Sequence, residues 1–198
     1  MSRNGFRSGA HVANFDSGEG ANPLGEVSPA RGVPLLVTAE LPADILEWSD
    51  SLRRAHYPPE RNRLQAHVTL FHGLPPSARA EVHDLLIATA GEAKSPEACI
   101  SGVMDLGRGT ALAIDSCGMI ELHERLAEIL HGLIQQKDAR ELRLHITVQN
   151  KVERSQAKAL QAELAATFRS QGFRFRGFGF YGWDGILWNF ERLYSFRR

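Results

Sequence analysis

Two cysteines in 198 residues, Cys99 and Cys117, are too few and too far apart for a disulfide framework or a CxxC metal site. They are expected to act as small buried hydrophobes. The chain also lacks a charge bias. Lys+Arg and Asp+Glu both number 23, for a net charge of zero, which argues against a protein that grips long duplex DNA through counterion release. A small nucleotide or an RNA end remains open as a partner. No apolar run reaches the ~20 residues of a membrane span, and Arg3 and Arg7 are not followed by the apolar stretch of a secretory signal. The expectation is a soluble, cytoplasmic chain with no membrane partner, acting as a monomer.

Residues 1–32 are rich in Gly, Ser and Asn without helical or strand periodicity, and read as a flexible leader. Order is expected from Val33. Pro34 to Leu41 is an apolar, β-favouring run. Asp44 is placed to cap a helix carrying Ile45, Trp48 and Leu52, with Arg53 and Arg54 in its last turn before Pro58-Pro59. A second helix carries Val82, Leu85, Leu86 and Thr89. Ala98 to Leu106 reads as a strand, followed by a hairpin tip at Gly107-Arg108-Gly109 and a strand from Thr110 to Asp115. Leu122, Leu126, Ile129, Leu130 and Leu133 have clear helical spacing, as do Ala157, Leu160, Leu164 and Phe168. Gly172 is expected to end the last helix, and two strands, Phe173 to Trp183 and Ile186 to Phe196, to finish the chain.

Within this pattern one tripeptide occurs twice, as His67-Val68-Thr69 and His145-Ile146-Thr147, 78 residues apart. Side chains alternate along a strand, so each His shares a face with its Thr while the apolar residues face the core. Sliding the chain by 78 superposes strand on strand and helix on helix, an internal repeat of about 33–106 on 110–198. A two-fold axis between such halves aims both strands at one point. Two imidazoles and two hydroxyls there can surround a small anion such as a phosphodiester, one imidazole as base and one as acid. Two groups titrating near neutrality suit that task, and His is the side chain with an unperturbed pKa of about 6.5.

The paired His-x-Thr motifs, His67-Val68-Thr69-Leu70-Phe71 and His145-Ile146-Thr147-Val148, resemble those of the 2H phosphoesterase superfamily, and most of all its bacterial RNA 2′,5′-ligase and cyclic phosphodiesterase branch. Gln149 stands where an apolar residue is common. The resemblance implies an α+β, bilobal duplicated fold: two pseudo-two-fold-related lobes of mainly antiparallel sheet plus helices, with the His-x-Thr strands facing a central groove. It implies one such domain over 33–198 and metal-independent, cofactor-free chemistry on 2′,3′-cyclic phosphates or 2′,5′-linked nucleotides or RNA ends. By motif position, His67 and His145 are the acid-base pair and Thr69 and Thr147 hold the phosphate.

Further substrate contacts are expected from Phe71, continuing the chemical face of the first motif, from the basic residues Arg108, Arg143 and Lys151, and from the aromatic residues Tyr181, Trp183 and Trp188, which can stack a base. His72 is expected on the opposite face from Phe71. Two competing readings are a non-catalytic nucleotide or RNA-end binding module and a metal site formed by His67, His72 and His145.

Overall fold

The computed structural model describes residues 34–134 and 142–198. The proposed leader therefore lies outside the described residues. Fourteen elements follow in chain order, two of them single 3-10 turns. The others are β1 (Leu35–Glu40), α1 (Ala43–His56), β2 (Val68–Leu74), α2 (Arg79–Glu92), β3 (Glu97–Asp105), β4 (Thr110–Asp115), α3 (Cys117–Ile129), β5 (His145–Gln149), α4 (Arg154–Thr167), β6 (Gln171–Arg174), β7 (Gly177–Trp183) and β8 (Trp188–Ser195).

All eight strands join one antiparallel sheet in the order β6-β3-β4-β5-β2-β1-β7-β8. The fold is α+β and bilobal, with a seam between β5 and β2 where a single residue pair, Val68 with Ile146, carries the ladder. Each four-stranded half has a His-x-Thr strand at the seam. β1 is buried on both faces, as its nearly unbroken apolar sequence requires of a strand between β2 and β7. One continuous core runs through both halves, from Leu35 and Val37 to Leu112, Ile146 and Phe178. α2 packs on β7 and β8, α4 on β3 and β4, and α1 lies against β5.

The end of the chain departs from the two expected strands. Gly172 sits inside β6, which pairs with β3, whereas β7 pairs with β1 in the other half. Between them the backbone crosses the sheet at Phe175 and Arg176, whose amides donate to the carbonyls of Pro96 and Glu40. Phe175 is wholly buried there, anchoring the crossover. A continuous aromatic run is thus shared by strands with different partners, a change that apolar periodicity does not mark.

Helix ends also differ from expectation. Asp44 does not cap α1; the N-cap is Pro42, and Asp44 lies in the first turn, where its charge favours the helix N-terminus. Trp48 and Ile129 are 37% and 56% exposed, because the faces that α1 and α3 bury are Ile45-Ser49-Arg53 and Met119-Leu122-Leu126. α3 is capped by the Ser116 hydroxyl, which accepts from the Met119 amide at 3.3 Å, and α4 by a capping box of Glu153 and Gln156. The cysteines are not buried as expected: Cys117 is exposed in the first turn of α3, and half-buried Cys99 meets the Ser170 hydroxyl at 2.8 Å.

Candidate functional site

His67 immediately precedes β2, and His145 opens β5. Their surroundings match closely. Nδ1 of His67 donates to the Gln65 carbonyl at 2.6 Å, and Nδ1 of His145 to the Arg143 carbonyl at 2.7 Å, in each case two residues upstream. A carbonyl can only accept, so both rings carry the proton on Nδ1 and present Nε2 as the acceptor when neutral. Each motif also carries a half-buried threonine two residues on, with apolar neighbours in the core: Val68 and Leu70 beside Thr69, Ile146 and Val148 beside Thr147. Gln149 is buried too, its amide oxygen accepting from the Thr110 hydroxyl at 3.3 Å.

Helix α1 ties the two motifs together through an unexpectedly polar inner face. Asp50, 6% exposed, accepts at Oδ1 from the Ala66 amide, the residue before His67, at 2.9 Å. One turn later Arg53, 4% exposed, crosses the seam and donates from Nη1 to the Thr147 carbonyl at 2.8 Å. Its Nε donates to Asn62 Oδ1 and the Leu64 carbonyl at 2.8 and 3.0 Å, and its guanidinium lies 3.9 Å from the Tyr57 ring centroid. One buried cation thus grips both sides of a seam that β2 and β5 barely close. Asp50 and Arg53 were not among the expected site residues. The signal for Arg53 was its four-residue spacing from Ile45 and Ser49, which sets all three on the buried face of α1.

The same arginine shapes the titration of the site. Burial first, then the Arg53 charge, push His67 from 6.5 down to about 3, with His72 and His145 adding to the shift. His145 is also lowered, by burial and by the charges of His72 and Arg143, while its bond to the Arg143 carbonyl works the other way. Both imidazoles are neutral at pH 7 in the empty groove.

His67 and Thr147 line one recess together with Arg53, Arg61, Arg63 and Trp188. The charges of His72 and His145 act on His67, and that of His72 acts on His145. His72 is thus closer to the chemistry than a regular strand allows. β2 bulges against β1: Val37 faces Phe71 while Thr38 faces Thr69, leaving Leu70 as an extra residue. Leu70 and Phe71 are consequently both core residues, and a second register shift follows before Leu74. Phe71, expected as a substrate wall, is instead wholly buried and stacked on His123 at 4.6 Å.

The remaining expected contacts divide. Trp188 lines the recess, with Trp183 against it at 5.4 Å. Tyr181 belongs to the same small cluster with Leu36, cross-strand from it. Its hydroxyl donates to Glu40 at 3.3 Å and is raised by burial and that carboxylate, so it is a neutral wall residue. Arg143 acts on His145 through its carbonyl and its charge. Arg108 is turned to a structural task at the hairpin tip, bonding the Val152 carbonyl at 3.1 Å and Glu153 at 3.2 Å. Lys151 has positive φ and its amide donates to its neighbour Asn150, which makes it a turn residue at the end of β5. Among the described residues no group of three or more His, Cys, Asp or Glu side chains is disposed to hold a metal ion.

Comparison with known proteins bears on the same residues. No curated protein matches the chain. Among solved structures, TT0787 of Thermus thermophilus superposes with a TM-score of 0.57 at 16% identity, over 83% of this chain and 98% of that one. A protein solved as a phosphoesterase gives 0.52 at 18% identity over 84% and 100%. Escherichia coli LigT, solved with NADP+, gives 0.52 at 16% over 84% and 99%. These likenesses share the fold. A family model described as the 2′-5′ RNA ligase superfamily matches residues 41–186, a stretch containing both His-x-Thr motifs, and the chain belongs to that superfamily.

Proposed function

We propose that the protein is a metal-independent phosphodiesterase acting on 2′,3′-cyclic phosphates or 2′,5′-linked nucleotides and RNA ends. The observation that supports this is the matched pair of tethered imidazoles, each with Nδ1 engaged and Nε2 left for proton transfer. A module that only bound a nucleotide would have no use for two such groups.

In the reaction, His67 Nε2 takes a proton from water as its oxygen attacks phosphorus. The bond from phosphorus to one ribose oxygen breaks on the opposite side, and that oxygen takes the proton from His145 Nε2. Burial, and after it the Arg53 charge, keep His67 in the neutral form that can accept a proton. His145 is the proton donor, the negative charge of an arriving phosphodiester raising its pKa. The Thr69 and Thr147 hydroxyls donate to the non-bridging oxygens as charge gathers there. Half-buried Trp183, packed beside Trp188, offers a face on which a base stacks.

The experiment is turnover of a panel of 2′,3′-cyclic mononucleotides and a 2′,5′-linked dinucleotide, with chelator present, by the native chain and by His67→Ala and His145→Ala. The expected result is chelator-insensitive turnover of at least one substrate, lost in both variants. Nucleotide binding without turnover by the native chain would instead favour the binding module.

A further inference from the structure

Resting on the reading of the groove as a phosphodiester site, we propose that the recess beside His67 is a second phosphate subsite, so that the preferred substrate carries another phosphate group close to the one that reacts. A cyclic phosphodiester has a single negative charge. Two threonine hydroxyls and a protonated His145 already meet it. Yet one flank of the same recess holds three further cations, Arg53, Arg61 and Arg63, with no carboxylate in its lining, on a chain of zero net charge.

Apart from Arg61 with Glu60, none of the three arginines forms an ion pair among the described residues. The buried guanidinium of Arg53 gives its hydrogen bonds to neutral acceptors only, the Asn62 amide oxygen and two backbone carbonyls. Arg63 has no ion pair among the described residues, and Arg61 has only Glu60, at 3.9 Å and with both side chains exposed, an arrangement of little strength. Trp188, 6% exposed, forms the apolar wall of the recess. Guanidinium forks match phosphate geometry.

Two sources can supply the second phosphate: a 5′-phosphate on the reacting nucleotide, or the phosphodiester linking it to the nucleotide before. Calorimetry separates them without requiring turnover. Affinity is measured for a nucleoside 3′-monophosphate, a nucleoside 3′,5′-bisphosphate, and a dinucleotide bearing a 3′-phosphate. At least one of the last two should bind tenfold or more tighter than the monophosphate, and the tighter one identifies the source. Arg61 and Arg63 are exposed, so Arg61→Ala/Arg63→Ala should fold and should reduce that preference to less than threefold. Equal affinities in the native protein, or a preference that survives in the double variant, overturn the subsite. A preference without turnover of any cyclic substrate would leave the subsite standing and defeat the phosphodiesterase reading; turnover without a preference would do the reverse.

Discussion

His67 makes the stability of the fold depend on pH in a way that can be worked out beforehand. Its folded pKa, about 3, lies below the unfolded value of 6.5, chiefly through burial and then through Arg53. A depressed pKa means that the unfolded chain takes up the proton first. The stabilisation is therefore fully present above pH 6.5 and is lost as pH falls from there towards 3. Between pH 7.5 and 5.0 this one group should remove about 2 kcal/mol, and His145, shifted in the same direction, adds to the loss. Asp105 and Asp184 have lowered pKa values and stay ionised throughout this window. Urea unfolding at the two pH values, in phosphate-free buffer so that no anion enters the groove, measures the loss. His67→Gln removes the titration, and its loss should be smaller than that of the native chain by about 2 kcal/mol. Equal losses in the two proteins would refute the argument, as would an NMR titration of His67 with a midpoint above 6.

Arg53→Met leaves the Leu64 and Thr147 carbonyls unmatched and should destabilise the fold by about 3 kcal/mol in urea. It should also raise the His67 midpoint, whereas Arg53→Lys keeps the charge and should leave that midpoint low; an unmoved midpoint in the Met variant would contradict the electrostatic role. Thr69→Val and Thr147→Val should each lower kcat on a cyclic phosphodiester by roughly 10²-fold or more, by loss of a hydroxyl donor, with stability changed by less than about 1 kcal/mol. Phe71→Ala should cost about 3–5 kcal/mol in denaturation as a core truncation, and Phe71→Leu should leave KM unchanged; a raised KM in a stable Leu variant would return Phe71 to the groove.

Much of the architecture was legible because it rests on periodicity. Apolar spacing located α2, α3 and α4, and the repeated His-x-Thr placed one histidine and one threonine from each half at the seam. Local backbone geometry was not legible. The bulge at Leu70 exchanges the faces of Phe71 and His72, and it depends on how β2 meets β1, not on the composition of either strand. The division of the run after Phe168 into β6 and β7 is set by strand partners about 75 residues (β3) and 140 residues (β1) earlier in the chain. Arg53 looked like an ordinary helix-terminal cation because solvated charge is the common fate of arginine. Its inward turn follows from the acceptors waiting there, Asn62, Leu64 and Thr147, two before β2 and one on β5.

The pairing of β1 with β7 has a bearing on synthesis. Leu35 meets Gly182, so the second neighbour of β1 is made about 140 residues later, roughly 7–30 s at ribosomal speeds. Until then β1 is an apolar edge, open along one whole side to any strand that passes, including that of another nascent chain. β2 and its motif histidine can assemble early on the other side of β1, but that half of the sheet is closed only by the last strands to emerge. A chain stopped before Gly177 would keep both motifs and leave a sticky edge, so premature termination near the end should yield aggregates and not a weakened enzyme.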